Sequence, residues 1–83
     1  MSKYRLLFSP EFERSFRKLD GSTREAVLRQ LEKLEENPER GKPLRHTFRG
    51  LWRLRVGGLR LIYEIEGNVV KVHLLDRREK VYR

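Results

Sequence analysis

The chain has 83 residues, no cysteine, and 20 lysines and arginines against 12 acids, for a formal net charge of +8. That length supports one domain with a thin core, so residues 1–83 are expected to fold as a single unit. Without cysteine there is no disulfide framework or thiolate metal site, and two histidines argue against a histidine-rich centre, so neither metal nor cofactor is expected.

The N-terminal Met1-Ser2-Lys3-Tyr4-Arg5 is charged, and Leu6-Leu7-Phe8 is too short an apolar run for a signal peptide or a membrane span. A cytoplasmic protein with no membrane partner is the expectation. Tyr4, Leu6 and Phe8 alternate with Arg5 and Leu7, a first strand with one face inward. Ser9-Pro10-Glu11 then combines a capping hydroxyl, a proline at the first helical position and an acid in the first turn, which predicts a helix. Phe12, Phe16 and Leu19 give that helix its apolar stripe, and Asp20-Gly21 is expected to end it. Ser22 with Glu25 three positions later forms a capping-box pattern for a second helix. Val27, Leu31 and Leu34, with Leu28 alongside, form its stripe, and Asn37-Pro38 stops it.

From Glu39 to Pro43 the sequence reads as loop. Three strands of period two follow, Leu51 to Val56, Leu59 to Ile65 and Val69 to Leu75, separated by the two-residue turns Gly57-Gly58 and Gly67-Asn68. Arg77 to Arg83 is a charged tail whose conformation the pattern does not determine. The predicted class is a two-layer α+β domain in the order β-α-α-β-β-β, with the helix pair packed on one face of antiparallel strands.

The two turns predict a register. Gly57-Gly58 pairs Val56 with Leu59, Leu54 with Leu61 and Trp52 with Tyr63 on one face, leaving Arg55 opposite Arg60 and Arg53 opposite Ile62 on the other. Gly67-Asn68 pairs Ile65 with Val70, Tyr63 with Val72 and Leu61 with Leu74, and sets Glu64 across from Lys71, Ile62 from His73 and Arg60 from Leu75. By parity Trp52 and Tyr63 belong to the core. Arg53, Arg55 and Arg60 are expected to share the face the helices leave bare, next to His73.

Charge is also segregated along the chain. Six basic residues and no acid lie between Lys42 and Arg60, whereas the acids concentrate between Glu11 and Glu39. Arginine supplies 14 of the 20 cations, and its planar fork suits phosphate better than an ammonium does. Like charges placed opposite each other weaken a sheet unless something binds them, and an anion is the economical explanation.

Three segments together resemble the RelE/ParE toxins. Gly50 to Ile65 resembles the family's core, in which a glycine and an aromatic precede alternating basic and aliphatic residues, a turn, an arginine and a tyrosine. Arg77 to Arg83 resembles its basic ending with a penultimate aromatic, and Phe8 to Phe12 with Phe16 to Leu19 resembles its first strand and helix. The resemblance implies the toxin of a two-gene toxin–antitoxin pair. In the RelE branch it implies a ribosome-dependent endoribonuclease, in which a 2′-hydroxyl of messenger RNA attacks the adjacent phosphate.

Matched position by position, the resemblance assigns Arg60 and Arg77 to the phosphate and its developing charge. Arg53, Arg55 and Arg78 hold the RNA backbone, and Tyr82 stacks on a base or orients the attacking hydroxyl. Well-known members carry lysine at the positions of Arg53 and Arg55 and often histidine at that of Asp76. Arginine stays protonated and is a poor base, so the proton acceptor is open; His73 is a candidate base by its intrinsic pKa range, and His46 a weaker one. The implied partners are an acidic antitoxin in a toxin–antitoxin hetero-oligomer, the ribosome and messenger RNA. Two other readings keep the fold: a ParE-like inhibitor of DNA gyrase without nuclease chemistry, and a basic module that binds only an acidic antitoxin.

Overall fold

The structure, a computed structural model, describes residues 3–77, with Arg77 described by its backbone. The elements in chain order are β1 (Arg5–Phe8), α1 (Pro10–Arg17), α2 (Gly21–Glu36), β2 (Lys42–Pro43), β3 (Leu51–Val56), β4 (Leu59–Glu66) and β5 (Val69–Arg77), with short 3-10 turns at Pro38–Arg40 and His46–Phe48. They form an α+β fold with one sheet in the order β1-β5-β4-β3-β2. β3, β4 and β5 run antiparallel through their two turns, while β1 lies parallel to β5, an orientation the strand patterns leave open.

The helix pair covers one face. Phe12 of α1 and Val27, Leu31 and Leu34 of α2 bury against Val56, Leu59, Leu61, Tyr63, Val70, Val72 and Leu75 of the sheet. Leu28, read with the second stripe, is 45% exposed and stands at its margin. α2 begins two residues earlier than the capping box suggests. The Asp20 carboxylate, a stronger acceptor than the Ser22 hydroxyl, takes the backbone N–H of Thr23 at 2.8 Å and becomes the N-cap. That bond holds the Asp20 carboxyl below the usual carboxylate range. Gly21 therefore opens α2 instead of merely ending α1.

The expected loop from Glu39 to Pro43 contributes an edge strand. Lys42 and Pro43 pair with Arg53 and Trp52, and proline, which cannot donate to a ladder, suits that outermost position. Tyr63 anchors the approach to it. Its ring is fully buried and lies against Trp52, with ring centroids 6.3 Å apart, as core parity requires. Its hydroxyl donates to the Pro38 carbonyl at 2.6 Å and accepts from the Gly41 N–H at 3.2 Å. Gly41 is required there, because a Cβ would meet the Tyr63 hydroxyl and come within 2.6 Å of the Arg53 carbonyl oxygen.

The first turn delivers the register read from the sequence: Trp52 opposite Tyr63, Leu54 opposite Leu61, Arg55 opposite Arg60. The second turn delivers it only as far as Tyr63 with Val72. Beyond that point β5 carries one extra residue, so Ile62 pairs with Leu74, Leu61 with Leu75 and Arg60 with Asp76. His73 is that residue, and the expected pairs Leu61–Leu74, Ile62–His73 and Arg60–Leu75 are all displaced by one. Ser9 stands at the bulge. Its N–H donates to the Val72 carbonyl at 3.0 Å, and its hydroxyl donates to the His73 carbonyl while accepting from the Phe12 N–H. One side chain thus caps α1 and satisfies a carbonyl that the bulge takes out of the ladder.

Ser9→Ala is accordingly expected to cost about 1–2 kcal/mol, the upper part of the range for a lost N-cap, read as a lower midpoint in urea denaturation. Burial also pushes the Tyr63 phenol up to about 12. Below pH ~10 both folded and unfolded chains hold the proton, whereas between about 10 and 12 the unfolded chain ionises first, so folding stability falls as pH rises through that window. Tyr63→Phe should flatten this part of the alkaline stability profile while lowering stability at neutral pH by about 1–3 kcal/mol, since Gly41 and Pro38 lose a buried partner.

Candidate nucleic-acid interface

Alternation along β3 and β4 sends Leu51, Arg53 and Arg55, and Arg60, Ile62 and Glu64, to the face opposite the helices. The direct pairing of Arg55 with Arg60, and of Arg53 with Ile62, places the three guanidinium-bearing residues on neighbouring positions of that face. The bulge then alters their surroundings. It returns Leu75 to the core, 9% exposed, and brings Asp76 to the register position of Arg60. The Asp76 carboxylate meets the Arg60 guanidinium at 3.1 Å, with both side chains more than four-fifths buried.

His73 goes elsewhere. Its Nε2 lies 3.0 Å from a Glu64 oxygen, at the end of β4 next to the Gly67-Asn68 turn. Glu64 is four residues from Arg60, roughly 14 Å of extended strand, and Ile62 with Leu74 lies between them. The structure does not set His73 beside the arginines. His46 stands on the exposed turn before β3, with φ of 59°.

Ion pairs and a carboxylate–imidazole contact divide the open face in two. At the turn end Glu64 partners His73, and Glu66 partners Lys71, each of this second pair holding the other charged: the ammonium pKa is raised and the carboxyl pKa lowered. At the other end Asp76 answers Arg60, but among the described residues no carboxylate lies within ion-pair distance of Arg53 or Arg55. Arg55 is exposed and Arg53 half-buried. Between the two ends runs an apolar groove of about 300 Å³, floored by Leu51, Ile62 and Leu74, walled by Leu44 and Phe48, and bordered by Arg53 and Arg60. Periodicity foretold the arginines; the groove needed the bulge, which exposes Leu74, and the turn that carries Phe48.

A wider hollow of about 600 Å³ opens between the turn joining α1 to α2 and the Gly57-Gly58 turn. Its charged lining residues are Lys18 and Asp20, one of each sign, so it offers no comparable field. Among the described residues no three of His, Asp and Glu converge on a point where a metal ion would sit, and no helix is long and apolar enough to cross a membrane. Arg77 closes β5 with its backbone opposite Leu59. Arg78 and Tyr82 lie outside the described residues.

Residues 6–82 match the family model described as the ParE toxin of type II toxin–antitoxin systems. Among solved structures, a chain of the RelBE2 toxin–antitoxin complex of Mycobacterium tuberculosis is 31% identical with a TM-score of 0.83, the match covering 92% of this chain and 99% of that one. A chain of the archaeal RelE–RelB complex of Pyrococcus horikoshii is 25% identical with a TM-score of 0.80, covering 95% and 99%. The isolated E. coli RelE toxin is 25% identical with a TM-score of 0.78, covering 94% and 87%. No curated protein sequence matches the chain.

The division of charge separates two kinds of arginine. Arg55→Gln should leave thermal stability unchanged and reduce the salt dependence of single-stranded RNA binding by about 0.7 in log–log slope, the value of one phosphate contact. Arg60→Gln should instead lower stability by about 1–3 kcal/mol, because the largely buried Asp76 carboxylate loses its charged partner. Both are read from filter-binding titrations at several salt concentrations alongside thermal melts.

Proposed function

The chain belongs to the RelE/ParE superfamily, the toxins of type II toxin–antitoxin systems, and from that membership we propose that it cuts messenger RNA on the ribosome. The observation that carries the reading is the cross-strand pair Arg55 and Arg60, with Arg53 beside it, on the face the helices leave open. Asp76 answers Arg60, whereas Arg53 and Arg55 have no carboxylate within ion-pair distance among the described residues, and an RNA backbone would supply negative charge to them. The likeness to RelE structures at 25% identity and above supports the same branch.

In this reading the RNA 2′-hydroxyl attacks the adjacent phosphorus, the bond from phosphorus to the 5′-oxygen breaks, and a cyclic phosphate and a free 5′-hydroxyl result. The reaction passes through a crowded, highly charged phosphorane, so fixed cations aimed at the phosphate lower its energy. Arg60 is suited to this, because Asp76 fixes its guanidinium from one side and spares the cost of orienting it during reaction. Arg77 would share the charge, Arg53, Arg55 and Arg78 would hold flanking phosphates, and Tyr82 would stack on a base or orient the hydroxyl. A base must stand within about 3 Å of the proton it takes, directly or through one water. His73, drawn to Glu64 at the far end of β4, fits that role on the phosphate held by Arg60 poorly. An acidic antitoxin laid over the open face would neutralise Arg53 and Arg55 and form the hetero-oligomer, with charge complementarity speeding association.

A second reading follows from the matched family model itself, which is that of ParE: inhibition of DNA gyrase without nuclease chemistry. Primer extension on translated messenger RNA and a gyrase supercoiling assay separate the two. The expected outcome is new 5′ ends within translated codons, lost in Arg60→Ala, with supercoiling unaffected. Intact RNA with blocked supercoiling would overturn the nuclease reading.

A further inference from the structure

The turn that precedes β3 presents an aromatic ring to solvent where the sheet would allow it to be covered. Phe48 is 56% exposed, the largest exposure among the chain's described large hydrophobic residues that stay uncovered. It is held there by a tight frame. The Phe48 N–H donates to the Arg45 carbonyl at 3.1 Å, the Arg49 N–H to the His46 carbonyl at 3.1 Å, and the Leu44 N–H to the Leu51 carbonyl at 2.8 Å. His46 takes φ of 59° and Gly50 φ of 98°. A non-glycine residue in the left-handed region is uncommon, and such backbone persists where its surroundings over-determine it, often at ligand sites.

Phe48 forms a wall of the apolar groove whose floor is Leu51, Ile62 and Leu74, and whose borders are Arg53 and Arg60. Exposed Arg45 and Arg49 flank the ring in sequence, within the stretch from Lys42 to Arg60 that carries no acid. Trp52 and Tyr63 point into the core, so Phe48 is the described aromatic of this face. A ligand that fits must carry a flat apolar body and anionic groups on either side of it. An unstacked nucleobase joined to its two phosphates has that form, and stacking on aromatic rings is how proteins hold splayed-out bases of single-stranded RNA.

We propose that the groove receives one nucleobase of the bound RNA and that Phe48 stacks on it. The inference rests on the RNA-cleaving reading above and adds a base-binding subsite to it. Arg53 meets a phosphate next to that base, and the aliphatic floor of Leu51, Ile62 and Leu74 packs against its edge. Phe48 is a positioning residue: it places the base and, through it, the scissile phosphate, without touching the reacting atoms.

The test compares Phe48→Leu, which keeps apolar bulk and loses the π face, with Phe48→Trp, which enlarges that face. Each full-length chain is titrated against ribosomes programmed with messenger RNA, and cleavage rate is followed against substrate concentration. Phe48→Leu should raise KM about ten-fold, within the range of a single base–aromatic stack, with kcat changed far less. Phe48→Trp should restore or lower KM, and thermal melts of both should match the parent chain because the ring is mostly exposed. A Phe48→Leu chain with the parent KM overturns the inference alone and assigns the groove to an apolar side chain of a protein partner or to nothing. Loss in Phe48→Trp equal to that in Phe48→Leu overturns it too, since shape and not stacking would then matter. A parent chain that leaves RNA intact ends the nuclease reading and this inference together.

Discussion

The extra residue that β5 accommodates at His73 decides what the open face is made of. Side chains alternate along a strand, so one inserted residue exchanges the two faces for everything beyond it. Without the insertion, Leu74 would enter the core, Leu75 would face solvent opposite Arg60, and Asp76 would turn toward the helices. With it, Leu75 completes the core, Leu74 floors the groove and Asp76 reaches the Arg60 guanidinium. The bulge is secured by a residue from the other end of the chain. Ser9 bonds the carbonyls of Val72 and His73 while capping α1, so the first helix and the last strand are fixed by the same side chain.

Electrostatics on the open face follow from that geometry. A patch of arginines with no compensation would raise the energy of the folded state through mutual repulsion. Here acids are spent unevenly. Glu64, Glu66 and Asp76 answer His73, Lys71 and Arg60, while among the described residues no carboxylate answers Arg53 or Arg55. The result is a direction as well as a sign: partnered acids toward the Gly67-Asn68 turn, net positive charge toward Gly57-Gly58, and an apolar groove between. A ligand of alternating apolar and anionic character has one preferred way to lie across it, which a uniformly basic face would not impose.

Part of this was legible because the turn signals and the alternation agree. Gly57-Gly58 set Arg55 opposite Arg60, and the same two-residue period put Trp52 and Tyr63 under the helices. The Gly67-Asn68 turn set Ile65, Tyr63 and Glu64 correctly, then failed past Val72. A bulge leaves little local trace: Val72-His73-Leu74-Leu75 reads as an ordinary strand with one polar residue, and its irregularity is stabilised by Ser9, 64 positions away. The Asp20 cap was missed for a smaller reason, since Asp20 and Ser22 both satisfy the local pattern and only the realised bond to Thr23 separates them.

Local chemistry in the chain thus determined the element order, the amphipathic helix pair, the antiparallel hairpins and the opposition of two arginines, because each depends on residues a few positions apart. Contact between distant segments decided the rest: the parallel seat of β1 beside β5, the two-residue edge strand β2, the displaced register at His73, and the meeting of Phe48 with Leu74 across a groove. Hydrogen bonds and packing between residues far apart in sequence have no periodic signature. They exist only once the layers have closed, and the composition of the open face was settled at that stage.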